Sequence, residues 1–535
     1  MPDTIRTVID TLSRSDIARA TELAREALAQ GEIHPLFLNL RALWLEAQGR
    51  DSEALADLQR AHALDPEDAP ISNALGLLLM KLDRTAEAVK AYDAAINAQP
   101  NFAAAHFNKG FALEALGELD KAREAYESAV AIDATPAEPF ARLASLAVRR
   151  GDYIELQRNA AQALSRNPNE PITNLALAVA ELEKGALPQA EERIVRLKQS
   201  GLSDVDSYFA SGLLGDVRDR QGHFDDAFRF YVEGNTEFRR ASEARFANRR
   251  TVLDEIRWLT RSYASGTHPL RGEPKKHSLP APATTHVFLL GFIRSGTTLL
   301  EQVLTSHPSV VCMEEKEAFL ASGRQFLNGP EGLERLASLP ETDREHYREH
   351  YWQEAAELGY RPDKKVFVDK HPFHTLKLPL IAALFPEAKI IFAIRDPRDV
   401  ILSCLRCRFR MSAYTYELLR PEDAARFYAE YMNFAKLCRE RLSLLILDVR
   451  HEDFVADFEA QARAICDFIG IEWTDSMRDF ALRGGKRSIA TPSARQIARG
   501  LSSEGIGRWR NYKPQLAHIL PILQPWVEQF GYDID

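Results

Sequence analysis

The sequence predicts two architectures in one chain, a helical solenoid followed by an α/β domain built on a parallel sheet. Three observations carry this. A 34-residue period runs through the N-terminal half. Short apolar runs alternate with helical patterns in the C-terminal half. At residues 286–301, HVFLLGFIRSGTTLLE, an apolar strand feeds a glycine-bearing turn and then a helix start.

The period is read first. Pro66, Pro100 and Pro168 are separated by 34 and twice 34 residues, with Ala134 at the missing step. Gly76 and Gly110 are in register, as are Ala54, Ala88, Ala122 and Ala190, and Ala61, Ala95, Ala129 and Ala163. Tyr92 and Tyr126 match as well. Small residues let antiparallel helices approach, an aromatic fills the gap towards the next repeat, and proline stops the second helix. This pattern resembles the tetratricopeptide repeat. The register covers residues 35–204, with 1–34 as a degenerate cap and 208–241 (Gly215, Ala227, Tyr231) as a further unit after a three-residue insertion. Such solenoids present a concave groove. The groove is expected to hold an acceptor protein or peptide, the alternative being that the array only assembles a homodimer or shields the enzyme.

The domains expected are therefore the array with its caps over 1–245, a helix and linker over 246–284, and the α/β domain over 285–535. Residues 261–285, RSYASGTHPLRGEPKKHSLPAPATT, lack periodicity and read as the link. A net charge of −9 argues against nucleic acid as the main partner. No apolar run reaches the roughly 20 residues that span a bilayer, and the first residues lack the pattern of a signal peptide. The five cysteines, an odd number, read as reduced thiols of a cytoplasmic protein; Cys404 and Cys407 fall on a helix and read as core or surface thiols.

In the α/β half, G-x-x-x-x-G at 291–296 is the first half of a P-loop, yet Thr297 stands where a nucleotide triphosphatase carries lysine. The basic residue is Arg294, inside the turn. Further strands are expected at 366–368, 389–394 and 444–449. Their ends carry Lys370, Arg395 and Arg450, and with Arg294 these four cations suggest a site for a multiply anionic ligand beyond the carboxyl edge of the sheet.

RSGTTLLEQVLTSHP together with IIFAIRDPRDVILS resembles the paired phosphosulfate-binding motifs of the sulfotransferase family. The resemblance implies 3′-phosphoadenosine 5′-phosphosulfate (PAPS) as donor, with no metal. It places Arg294, Ser295, Gly296, Thr297 and Thr298 at the 5′-phosphosulfate, and Arg395 and Ser403 at the 3′-phosphate. Within the family the likeness is to protein-tyrosine sulfotransferases, through paired glutamates in SHPSVVCMEEKEAF. It implies Glu315 as catalytic base, with Glu314 its rival, and Lys370, Arg294 and Ser493 as the catalytic groups under which the bisphosphate leaves sulfur. Arg508 stands where relatives use lysine to reach the donor phosphates, and His451 where they place tyrosine, as a pH-sensitive substitute. Tyrosine in a protein or peptide is the acceptor implied. Transfer to a carbohydrate, lipid or small-molecule hydroxyl is the second reading, and a repeat scaffold with a decayed transferase domain the third.

Overall fold

The computed structural model describes residues 3–247, 251–265, 279–480 and 501–534. The chain divides into two compact units, one reaching to Arg193 and the other beginning at Ile194. The first unit consists of antiparallel helix pairs: Asp3–Ser13 with Ile17–Ala29, Pro35–Ala47 with Asp51–Leu64, and Ala69–Lys81 with Thr85–Ala98. Ala103–Ala115 pairs with Leu119–Ile132 and Glu138–Arg150 with Tyr153–Arg166, and Pro171–Glu183 precedes Leu187–Gln199.

Side-chain size sets the spacing of these helices. Ala54, Ala88, Ala122 and Ala190 are fully buried, so each helix meets its neighbour at a methyl group. A Cβ on Gly76 would stand 2.4 Å from the Tyr92 ring, and one on Gly110 would stand 2.6 Å from the Tyr126 ring. Each tyrosine thus occupies the space its glycine leaves open. The period is also written in the backbone. Asp65, Gln99, Asp133 and Asn167 close the second helices with φ between −138° and −142°. Proline imposes that extended conformation on the residue before it. Asp133 adopts it ahead of Ala134, where its own carboxylate accepts the Thr135 N–H at 2.8 Å in an Asx turn. A left-handed residue recurs at Gly49, Asp83, Gly117, Gly151 and Gly185, a series that the proline and alanine register does not include.

The second unit opens with the hairpin Asp204–Arg220 and Phe224–Phe246. It repeats the same device, since a Cβ on Gly215 would stand 2.3 Å from Tyr231. The sequence counts this hairpin with the array, whereas by packing it belongs with the sheet that follows. Tyr208 donates its hydroxyl hydrogen to the Cys407 carbonyl (3.0 Å) and accepts from the Phe409 N–H (2.8 Å). Asn235 donates to the Leu405 carbonyl (3.1 Å).

Five parallel strands form that sheet: β1 (Thr285–Gly291), β2 (Val310–Glu314), β3 (Val366–Lys370), β4 (Lys389–Ile394) and β5 (Leu445–Arg450), in the order β2-β3-β1-β4-β5. Apart from Thr285, β1 is buried along its length, as expected for a central strand covered on both faces. The expected strands are present, and β2 is one the apolar pattern did not announce. β1 lies between β3 and β4, so the chain crosses to opposite sides of β1 and leaves a crevice at its carboxyl end. All five cysteines are free; Cys404 and Cys407 are buried, and burial pushes both thiols up. Among the described residues no helix is long and apolar enough to cross a membrane.

The glycine–tyrosine fit gives a direct test. Gly110→Ala is expected to lower stability by about 1–3 kcal/mol through overpacking against Tyr126. Urea unfolding would show this as a lower midpoint, and adding Tyr126→Leu to the same chain is expected to recover part of the loss.

Candidate active site

The turn after β1 owes its shape to two glycines and one arginine. Gly291 has φ 139°, and a Cβ there would lie 2.5 Å from the Ala393 carbonyl oxygen on β4. Gly296 has φ 98°, caps the helix Thr297–Thr305, and would bring a Cβ within 2.8 Å of His451 Nδ1. Arg294 between them is also left-handed, at φ 69°. Left-handed residues interleaved with ordinary ones turn backbone N–H groups to one side, and the following helix adds its positive end. The turn is therefore built as an anion cradle.

Two of the four strand-end cations meet at this turn. Arg294 Nε donates to Ser403 Oγ at 3.0 Å, and Arg395 donates to the Arg294 carbonyl (3.2 Å) and the Gly505 carbonyl (2.6 Å). Arg395 Nε and Ser295 Oγ are buried without a hydrogen-bond partner. Burial weakens the charged form of Arg395 although Asp399 supports it. Ser403 lies on the helix Pro397–Arg406. Thr297 and Thr298 are buried in the first turn of their own helix. Arg450 faces away, pairing with Asp453 at 3.7 Å and lying over the Tyr532 ring.

The third cation makes a separate centre. Lys370, at the end of β3, has a fully buried side chain, with Glu315 Oε1 at 2.8 Å, Glu301 Oε2 at 3.0 Å and Glu314 Oε1 at 3.7 Å. Burial works against its charge, but Glu301, Glu315 and Glu314 outweigh burial and hold the ammonium above its ordinary range. Glu315 has φ 46° and donates its N–H to the Lys370 carbonyl at 2.7 Å, which extends the pairing of β2 and β3 by one residue. Register places Lys370 opposite Leu289 on β1, two residues before Gly291. The cradle and the lysine centre thus share one edge of the sheet.

Beside Lys370, Glu317, His371 and His374 bring their ligand atoms within 4.8 Å of one another. The two imidazoles are stacked, 4.3 Å between centroids and 7° from parallel. In-plane lone pairs of stacked rings run alongside each other rather than converging, and Lys377 pairs with Glu317. The set is part of a buried network of imidazoles and carboxylates. Asp369 faces His374 Nδ1 at 3.4 Å, Glu317 faces Nε2 at 3.5 Å, and the Tyr351 hydroxyl donates to Asp369 at 2.9 Å. Against burial, His374 and Lys377 hold the Glu317 carboxyl well below its usual range.

Arg508 is held by Asp219, a buried carboxylate that also accepts from Arg406 (3.0 Å) and the Tyr512 hydroxyl (2.5 Å). Asp399 fixes the same segment by accepting from the N–H groups of Gly507 (2.6 Å) and Trp509 (2.8 Å). Burial pushes Asp399 up to about 6, with Arg395 and those N–H groups opposing it. Ser493 lies outside the described residues. Sequence reasoning missed Glu301, Asp399 and Asp219; the signal for Glu301 was a lone carboxyl in the helix TTLLEQVLT.

His451 lies over Gly296. Burial, aided by Arg395, pushes it down to about 3, so it stays neutral through the physiological range. The unfolded imidazole protonates below about 6.5. Its contribution to stability is therefore complete above that pH and is lost as pH falls towards the folded value. His451→Gln is expected to flatten the loss of stability between pH 6.5 and 5 by about 1–2 kcal/mol, measured as urea midpoints for the two proteins.

Residues 286–475 match the model of the Sulfotransferase family, and residues 8–69 and 73–139 match that of the tetratricopeptide repeat. Protein-tyrosine sulfotransferase 1 of Danio rerio is 25% identical over 269 residues, covering 46% of this chain and 72% of that protein. An uncharacterized protein of Aquifex aeolicus is 22% identical over 441 residues, covering 78% of this chain; the chain spans 53% of that relative's length. Among solved structures, the sulfotransferase domain of the Synechococcus PCC 7002 olefin synthase is 22% identical, with 48% of this chain and 99% of that one covered and a TM-score of 0.34. The chain thus joins a tetratricopeptide-repeat region over residues 8–139 to a sulfotransferase-family domain over residues 286–475.

Proposed function

We propose that the second unit moves the sulfuryl group of PAPS to a hydroxyl, and that the acceptor is tyrosine in a protein or peptide. The observation that carries the reading is the gathering of Arg294, Arg395 and Ser403 at the cradle, next to the Lys370–Glu315 pair. Unpartnered Ser295 Oγ and Arg395 Nε suit an anionic donor. Arg294 with Ser295, Gly296, Thr297 and Thr298 would hold the phosphosulfate end, and Arg395 with Ser403 the 3′-phosphate. His451 offers a neutral ring over Gly296, and Arg508 joins by exchanging Asp219 for a donor phosphate.

When bound, the donor supplies a sulfur atom whose bond to the phosphate oxygen breaks as the acceptor oxygen attacks. A phenol of pKa about 10 needs a positioned proton acceptor. Glu315 suits that role better than Glu314, because its side chain is 43% exposed against 21% and both face Lys370. Lys370 places a dry ammonium where charge develops on the leaving oxygen, an arrangement that is strongest out of water. Ser493 is assigned to the same oxygen. The repeat region is the surface that would present the acceptor peptide. Five free cysteines suit a reducing compartment, the cytoplasm.

Transfer of 35S from labelled PAPS to tyrosine peptides, glycans and phenols tests the reading, and no transfer to any of them overturns it. Glu315→Gln is expected to lower turnover by about 100-fold or more with adenosine 3′,5′-bisphosphate affinity nearly unchanged. Arg395→Ala is expected to weaken that affinity by about tenfold or more, read by calorimetry.

A further inference from the structure

We propose that Glu301 is a positioning residue for Lys370, a carboxyl whose protonation decides how tightly the ammonium holds Glu315. The inference rests on the functional reading above and concerns the same site. Three carboxylates lie within 4.0 Å of one fully buried ammonium. A single cation neutralises one of them, and like charges so close favour a shared proton. Burial selects the holder. The Glu301 side chain is 5% exposed, against 21% for Glu314 and 43% for Glu315. Its Oε2 meets Lys370 at 3.0 Å but has no aligned hydrogen-bond partner.

The groups facing Glu301 are Lys370 from β3, Glu314, Glu315 and Cys312 from β2 and its end, and Tyr360 beyond the helix Glu341–Glu357. Burial pushes Cys312 and Tyr360 up, so neither titrates near neutrality. Burial likewise pushes Glu301 up to about 7, with Lys370 opposing and Glu314 and Glu315 adding to the shift. Below that value Glu301 is neutral and Lys370 is shared by Glu315 and Glu314. Above it, ionised Glu301 draws the ammonium towards the helix Thr297–Thr305 and loosens Glu315 for the acceptor's proton.

Two measurements on the full chain test this. In wild type, kcat is expected to rise with pH through an inflection near neutrality. Glu301→Gln is expected to remove that inflection and to lower kcat at pH 8 by about tenfold, with donor KM within twofold, while Glu301→Asp retains the inflection. A Gln variant with the wild-type pH profile overturns the proposal. Separately, a folded carboxyl that binds its proton more tightly than the unfolded one gives stability below about pH 4.5 that is lost as pH rises through about 7. Urea midpoints from pH 5 to 8 should therefore fall for wild type relative to Glu301→Gln, and parallel curves also overturn it. Absence of sulfuryl transfer by wild type, with the stability difference intact, removes the functional reading and the positioning role together but leaves the buried proton in place.

Discussion

An ammonium group with no access to water, Lys370, is the constraint on which the catalytic half depends. Taking that charge out of solvent is unfavourable by several kcal/mol unless anions surround it. Those anions come from separate pieces of chain. Glu301 is supplied by the helix after the cradle, Glu314 by the end of β2, and Glu315 by a residue forced into the left-handed region. A non-glycine residue there is held by its surroundings, here by its N–H on the Lys370 carbonyl and its carboxylate on Lys370 Nζ. One buried charge thus fixes the mutual placement of β2, β3 and the helix Thr297–Thr305.

The anion cradle follows a different logic, in which backbone shape precedes charge. Gly291 is required because β4 passes too close for a side chain, and Gly296 because His451 lies over it. Only then can Arg294 turn back to Ser403 and Arg395 reach the Arg294 carbonyl. The same closeness makes His451 neutral, since a second cation beside Arg395 in a desolvated spot is disfavoured.

What was legible in the sequence was local or periodic. Repeating alanines, glycines and tyrosines declared the solenoid, and one apolar run feeding a glycine turn with three ending in basic residues declared four of the five strands. β2 was hidden because its five residues, VVCME, run straight into charged residues and read as part of an acidic stretch. Glu301, Asp399 and Asp219 were hidden for another reason. Each acts through a partner far away in the chain, Lys370, Gly507 and Arg508 respectively, and spacing along a sequence carries no trace of such pairings. His451 was legible as a departure from its relatives, but its neutrality depends on burial, which only the fold supplies.

The Asp219 cluster bears on how such a chain could be assembled from parts. Arg406, Arg508 and Tyr512 converge on that carboxylate, and Arg408 pairs with the neighbouring Asp216 at 2.8 Å. The carboxylates lie on the hairpin Asp204–Arg220 and Phe224–Phe246, whose sequence follows the repeat pattern. An α/β domain separated from this hairpin would lose those counter-charges, leaving the partly buried guanidinium groups of Arg406, Arg408 and Arg508 without them. The repeat-like hairpin is therefore a structural part of the transferase unit rather than an exchangeable repeat.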